Sequence, residues 1–210
     1  MDQADPALAA LPLPLRPLAA RGIVRRYRKG TLLIEEGDFG DTLFIVLSGR
    51  VKAFSVDERD REITFGTSGP GECLGEMSLD GGPRSASVIT LEATTCAVVT
   101  RAVLREHIVA HPEFAFELLQ RVIRRARLAT DSARNLALLD VYGRLVRTLD
   151  ALAEGEPRHI AVRPTHQDLA SRIGASREMV SKLMKDLERG GYVANDGRAL
   201  KILRPLPASW

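Results

Sequence analysis

Gly71-Glu72-Cys73-Leu74-Gly75-Glu76-Met77-Ser78-Leu79, followed at once by Gly81-Gly82-Pro83-Arg84-Ser85-Ala86, sets a carboxylate, an arginine and hydroxyls in one glycine-rich stretch. A group with one negative phosphate beside a free sugar hydroxyl needs that set. Arg84 offers a charge-assisted contact to phosphate oxygens. Ser85 and backbone N–H groups can bond the same oxygens, whereas Glu76 only accepts and so suits a ribose hydroxyl. The glycines let the backbone approach closely and turn N–H groups toward an anion. Gly-Gly-Pro-Arg alone is also what an ordinary turn with a surface arginine looks like. The whole run at this spacing reads as an anion site built from Gly75, Glu76, Met77, Ser78, Arg84, Ser85 and Ala86.

The flanking chain has a strand pattern. From Arg25 to Val99, short apolar runs such as Leu32–Ile34, Thr42–Leu47, Val51–Val56, Glu62–Phe65, Ser87–Thr90 and Cys96–Val99 are divided by glycine turns. Regular short strands with turn signals predict an all-β barrel or roll. Residues 1–17, with Pro6, Pro12, Pro14 and Pro17, read as a loosely ordered lead-in, with a short helix expected around Leu18 to Gly22. The β-roll domain is thus expected over residues 1–112.

After Arg101 the period becomes helical. A long helix is expected over 113–139, opening near Pro112, since proline is tolerated in a first turn. Phe116, Leu119, Ile123, Ala126, Thr130, Ala133 and Ala137 recur at steps of three and four, an a/d seam. A homodimer contact or a helix docked on its own domain would each make such a stripe. A run of about 25 unbroken residues exceeds ordinary helix length and favours the homodimer. Arg121, Arg124, Arg125 and Arg127 fall on the other faces and read as a solvated surface.

Residues 140–210 carry a third pattern. Asp140 to Ala153 is amphipathic, and Thr165 to Leu183 reads as helix, tight turn, helix. Leu169, Ala170 and Ile173 give the first helix a buried face, Gly174 supplies its C-cap and Ser176 an N-cap for the second. Val180, Leu183 and Leu187 form an inner stripe, which leaves Arg177, Glu178, Ser181, Lys182 and Lys185 pointing out. That spacing is a helix-turn-helix, whose second helix enters a DNA major groove. Arg177 and Lys182 can pair with guanine and Glu178 can accept from cytosine. The same three charges could instead form a surface salt-bridge lattice. Thr165 would contact phosphate without reading sequence. A hairpin around Asn195-Asp196-Gly197 follows and completes a winged helix-turn-helix.

Bulk properties narrow the class. The chain has 210 residues, 45% hydrophobic and 27% charged, which fits globular domains. No stretch approaches the ~18 apolar residues of a membrane span. The acidic start Met1-Asp2-Gln3-Ala4-Asp5 lacks the basic opening of a secretion signal, so a cytoplasmic protein is expected. Cys73 and Cys96 have no partners at ligand spacing, so neither a disulfide, a metal nor an iron–sulfur cluster is expected. Lys/Arg and Asp/Glu balance at 18 each through residue 139, then run 12 to 9, so the whole +3 excess lies in the C-terminal third. A basic bias there fits nucleic acid. No acidic or His-Asp cluster accompanies Glu76, so no enzyme is expected.

The cassette residues Gly71, Glu72, Gly75, Glu76, Arg84, Ser85 and Ala86 resemble the phosphate-binding cassette of the catabolite activator (cyclic AMP receptor) family of bacterial transcription regulators. Ser176, Arg177, Glu178 and Lys182 resemble that family's recognition helix, with lysine where the family usually has arginine, and Asn135–Val141 its hinge. The resemblance runs from about residue 18 to about 205. It implies an α+β fold in which a cyclic-nucleotide-binding β-roll, a long dimerisation helix and a winged helix-turn-helix follow in order. It implies cyclic AMP as allosteric effector, with Glu76 on the ribose hydroxyl and Arg84 and Ser85 on the phosphate. Double-stranded DNA would be held by Thr165, Gln167, Ser176, Arg177, Glu178, Ser181 and Lys182, and RNA polymerase would be a further partner. Adenine contacts would fall to Ala129 and Thr130. Ala129 lacks the family's hydroxyl, which leaves cyclic GMP, cyclic di-GMP and constitutive DNA binding as alternatives.

Overall fold

The computed structural model describes residues 6–207. It divides into two compact units. One comprises the chain up to Ser55 together with Thr64–Leu128; the other comprises Val56–Ile63 with everything from Ala129 on.

The first unit is a β-roll. One antiparallel sheet has the order β1 (Ile23–Tyr27), β8 (Thr94–Thr100), β3 (Thr42–Ser48), β6 (Cys73–Leu74). The other has β2 (Leu32–Ile34), β7 (Ser87–Thr90), β4 (Val51–Val56), β5 (Glu62–Ser68). Strand β3 explains the layering. Leu43 to Leu47 are all buried, because alternate side chains leave a strand on opposite faces and both faces here are covered. Phe44 and Val46 enter the interior of the roll with Ile34, Val51, Leu74, Val88 and Cys96. Leu43, Ile45 and Leu47 face the opposite way, into a cluster with Leu11, Leu15, Leu18, Leu104 and Phe114.

That second cluster corrects the loose lead-in expected for residues 1–17, of which 1–5 lie outside the described residues. Helix α1 (Pro6–Ala9), a 3-10 turn at Leu13–Leu15 and α2 (Arg16–Ala20) fold onto the sheet. Pro14 and Pro17 sit in first turns, where their missing N–H costs nothing, and Pro12 precedes the 3-10 turn as its N-cap. Leu11, Leu15 and Leu18 recur at steps of four and three, a helical stripe that the proline content obscured, and the helix expected at Leu18 to Gly22 begins two residues earlier.

Helix α3 (Arg101–Ala110) is capped by Thr100, whose side chain accepts from the Val103 N–H. Buried His107 meets the Phe114 ring edge-on at 4.9 Å, joining α3 to α4 (Glu113–Leu138). The long helix expected over 113–139 is α4, which ends at Leu138. Its seam is open on the single chain: Phe116 is 69% exposed, Leu119 52% and Ile123 43%. Cys73 and Cys96 are free and buried, and burial pushes both thiols up to about 11.

The second unit packs α5 (Val141–Leu152), α6 (His166–Ile173) and α7 (Arg177–Arg189) against a sheet ordered β10 (Val193–Asp196), β11 (Ala199–Ile202), β9 (His159–Ile160). Leu145, Leu149, Leu169, Ile173, Val180, Met184 and Leu187 are its centre. Met184 takes the place expected for Leu183, which is only partly buried. The fold is thus α+β: a β-roll, a long helix and a winged helix-turn-helix. No helix among the described residues is long and apolar enough to cross a membrane.

Leu15 is 1% exposed and anchors the N-terminal helices. We expect Leu15→Ala to cost about 2–5 kcal/mol of stability in chemical denaturation, the range of a buried leucine truncation; a change below about 1 kcal/mol would show that this segment is not part of the core.

Candidate functional site

The cassette lies between β6 and β7. Gly75 (φ +88°) turns the chain out of β6 into a 3-10 turn, Glu76–Ser78. This buries the Glu76 and Ser78 side chains and leaves Met77 52% exposed. Arg84 returns across them, 6% exposed. Its Nη1 donates to the Gly75 carbonyl (3.0 Å) and Ser78 Oγ (2.8 Å), and its Nη2 to the Thr42 carbonyl (2.9 Å) and Thr42 Oγ1 (3.1 Å). Both terminal nitrogens are thus committed to neutral acceptors. No carboxylate pairs with Arg84 among the described residues. Burial lowers its pKa, with Asp41 and Glu76 opposing, yet a guanidinium remains charged.

Two glycines make room for this cation. A Cβ on Gly40 would stand 2.7 Å from Arg84 Nη2, and one on Gly75 would stand 2.4 Å from Nη1. Strand-breaking glycine was readable in the sequence; a cradle for Arg84 was not, since Gly40 is 44 positions upstream of it.

Glu76 is the second charged group. Arg125 of α4 ion-pairs with its Oε1 and donates to the Cys73 carbonyl at 2.7 Å, while Arg121 reaches the Gly71 carbonyl at 3.2 Å. These two arginines correct the solvated surface expected for them: each neutralises acceptors that the cassette turn leaves open. Glu76 Oε2 is buried and has no hydrogen-bond partner among the described residues. Such an atom costs on the order of 1–3 kcal/mol unless something donates to it.

Gly75, Met77, Ser78, Arg84, Ser85 and Ala86 line one cleft of about 50 Å³ with Ile34, Ala53, Val88 and Arg125. The Ser85 hydroxyl is on the exposed rim, 3.5 Å from Met77 Sδ. Glu76 does not line this cleft, although its neighbours Gly75 and Met77 do. A cyclic nucleotide fits the chemistry of the region: a cation with no ion-pair partner among the described residues, a rim hydroxyl and, behind the cleft wall, the buried Glu76 acceptor. The cleft is narrow for one, since ligand pockets run to roughly 300 Å³ and more. Ala129 and Thr130 belong to the other compact unit and are exposed. No group of His, Cys, Asp or Glu suited to a metal occurs among the described residues.

In the second unit, Gly174 (φ +62°) caps α6 and Ser176 caps α7, accepting from the Met179 N–H. Thr165 and Asp168 form a reciprocal capping box. Thr165 and Ser176 thus each cap a helix through the side chain, and both residues stay exposed. Ser181 is half-buried, 2.8 Å from His166 Nδ1. Arg177, Glu178 and Lys182 are exposed and no ion pair joins them among the described residues, so the lattice reading is not realised. Gln167 and Arg177 line a cleft with Arg163, Pro164, Thr165 and His166. His166 escaped the sequence reading because nothing local marks a histidine that bonds 15 positions away.

Residues 24–111 match the model of a cyclic nucleotide-binding domain, and residues 143–205 that of a Crp-like helix-turn-helix domain. The chain is 32% identical over 203 residues to a CRP-like cAMP-activated global transcriptional regulator of Mycobacterium tuberculosis, covering 93% of this chain and 88% of that protein. It is 28% identical over 186 residues to the cAMP-activated global transcriptional regulator CRP of Salmonella typhimurium, covering 85% and 89%. The solved structure of CLP, the c-di-GMP responsive global regulator of Xanthomonas campestris, superposes with a TM-score of 0.80 at 28% identity, covering 90% and 97%.

The Arg84 cradle is testable by two alanines. Gly75→Ala and Gly30→Ala impose the same left-handed strain, but Gly30 has nothing within 4 Å. Strain alone costs about 1–2 kcal/mol. A Cβ on Gly75 would also stand 2.8 Å from the Thr42 carbonyl, so we expect Gly75→Ala to lose more stability than Gly30→Ala in denaturant titrations; equal losses would mean that neither Arg84 nor the Thr42 carbonyl closes on the glycine.

Proposed function

The chain belongs to the CRP family of transcription regulators, which join a cyclic nucleotide-binding domain to a Crp-like helix-turn-helix, and on that premise we propose that it is a homodimer gated by cyclic AMP. Residues up to 112 form the ligand domain, 113–139 the dimerisation helix and 140–210 the DNA-binding domain. The promoter-bound dimer works with RNA polymerase in the cytoplasm, and no catalysis is involved.

The observation that carries the ligand reading is the pairing of an ion-pair-free, buried Arg84 with the unpartnered Glu76 Oε2. The charges favour a cyclic phosphodiester. Arg125 and Glu76 cancel, which leaves one positive charge on Arg84. A cyclic monophosphate carries one negative charge, whereas a phosphomonoester carries about −1.5 to −2 at neutral pH. Arg84 supplies its charge and Nε, Ser85 its hydroxyl. A ribose hydroxyl donates to Glu76.

Gating follows from Arg125. It belongs to α4, lines the cleft and holds Glu76. A nucleotide large enough to reach Glu76 must displace it, which releases a contact between the ligand site and the dimerisation helix. A ligand shifts an equilibrium only by binding one state more tightly. Thr130 is on the seam of that helix and would meet the base. Cyclic di-GMP is the second reading, favoured by the missing hydroxyl at Ala129 and by the likeness to a regulator that responds to it.

The DNA reading rests on Arg177, Glu178 and Lys182, which stay exposed on α7, with no ion pair joining them among the described residues. Two-fold symmetry would place half-sites about 34 Å apart.

Calorimetry with cyclic AMP, cyclic GMP and cyclic di-GMP tests the ligand. We expect cyclic AMP to bind and Arg84→Leu to weaken it by about 10–100-fold, the worth of a charged hydrogen bond; binding unchanged in Arg84→Leu would defeat the assignment. For DNA, Arg177→Ala is expected to lose about 1–3 kcal/mol of discrimination at one base pair, read from binding to a panel of single-base variants. Unaltered preference there would remove α7 as the reading element.

A further inference from the structure

The cleft at the start of α6 contains a group that the DNA reading does not use. His166 is the first residue of α6. Its Nδ1 is 2.8 Å from Ser181 Oγ on α7. Its Nε2 is buried and has no partner among the described residues. One wall of the cleft is His166 itself; Arg163, Thr165, Gln167 and Arg177 supply others. A neutral imidazole has one N–H and one bare nitrogen. Whichever tautomer bonds Ser181, the other nitrogen is unsatisfied, and a buried unsatisfied polar atom requires an explanation.

The charges around His166 indicate what it lacks. Arg163, in the segment before α6, lowers its pKa, as do Arg177 and Lys185 of α7. Burial is the largest influence in the same direction, and Glu188 of α7 is the one charge that raises it. On α6 itself, Asp168 is engaged with Thr165. Protonation in the free protein would therefore add a cation to a basic neighbourhood and leave a second N–H without an acceptor. A DNA phosphate reverses both terms: it brings negative charge into the cleft and acceptor oxygens for Nε2–H.

We propose that His166 is a phosphate ligand whose contact is proton-coupled: it is neutral in the free protein and becomes imidazolium as a DNA phosphate docks in the cleft beside Arg163 and Arg177. Nδ1–H then donates to Ser181 Oγ, and a small swing of the ring brings Nε2–H to a phosphate oxygen. The proton comes from solvent, one per cleft. Ser181 acts here as a positioning residue that ties the imidazole of α6 to the reading helix. This inference rests on the DNA-binding function proposed above, but phosphate contacts carry no sequence information. It therefore applies to any duplex.

The direction of the pH effect follows by linkage. Burial, followed by Arg163, Arg177 and Lys185, holds His166 in the free protein below the ordinary imidazole range, and the phosphate raises its pKa in the complex. The complex then holds more protons than the free partners, so affinity rises as pH falls through the bound-state pKa and levels off below the free-state one.

The test is fluorescence anisotropy with the full chain and a labelled mixed-sequence duplex, at constant ionic strength, from pH 8 to pH 6. We expect wild-type affinity to rise about three- to tenfold over that range, since one unit of pKa shift is worth tenfold. His166→Gln, checked for an unchanged near-UV spectrum, keeps a hydrogen-bonding tip without a titrating group and should remove that rise. Calorimetry of the same binding in buffers of different ionisation enthalpy should show proton uptake in the wild type and less in the variant. A wild-type affinity independent of pH, or a rise that persists in full in His166→Gln, overturns the proposal. Loss of sequence preference with the pH slope intact would instead count against the reading helix and leave His166 standing.

Discussion

A guanidinium buried without a carboxylate is an expensive arrangement, and the first compact unit is arranged around it. Arg84 is held by carbonyl and hydroxyl oxygens of Gly75, Ser78 and Thr42. Those acceptors orient it but do not cancel its charge, and a buried charge is tolerated only where hydrogen bonds replace its water. The left-handed turn at Gly75, the open side of Gly40 and the inward Ser78 all serve that requirement. So does the register of β3, which presents Thr42 at its first position. A site that keeps a positive charge dry and unpaired is preorganised for an anion, because a ligand need not order it first.

Much of this was legible in the chain. The strands from Leu32 to Val99 followed glycine punctuation, because each turn needs a conformation that glycine adopts freely. The helix-turn-helix was legible because caps are local: Gly174 and Ser176 announce a C-terminus and an N-terminus two residues apart. What could not be read was non-local or masked by composition. Arg121 and Arg125 looked like surface because a helical period reports which face is apolar, not which polar side chain finds a carbonyl. Proline hid the Leu11, Leu15, Leu18 stripe. Nor could position show that the Thr165 and Ser176 hydroxyls also close helix ends, where unsatisfied N–H groups seek an oxygen, or that Ser181 meets His166.

Helix α4 presents two different faces. Arginines on one side reach the cassette, while Phe116, Leu119 and Ile123 on another remain exposed. Exposed leucine-sized residues in a row along one helix are what a second helix covers. Arg125 at the cleft and the exposed Phe116, Leu119 and Ile123 thus lie on the same helix.

The two thiols fit a different kind of economy. Oxidants and electrophiles attack the thiolate, and a thiol pushed up to about 11 holds only on the order of one thiolate in ten thousand at neutral pH. Cys73 sits on the strand that enters the cassette, where modification would be felt at once by Gly75 and Glu76. Sheathing it in the core leaves the cassette turn insulated from oxidative chemistry at sulfur.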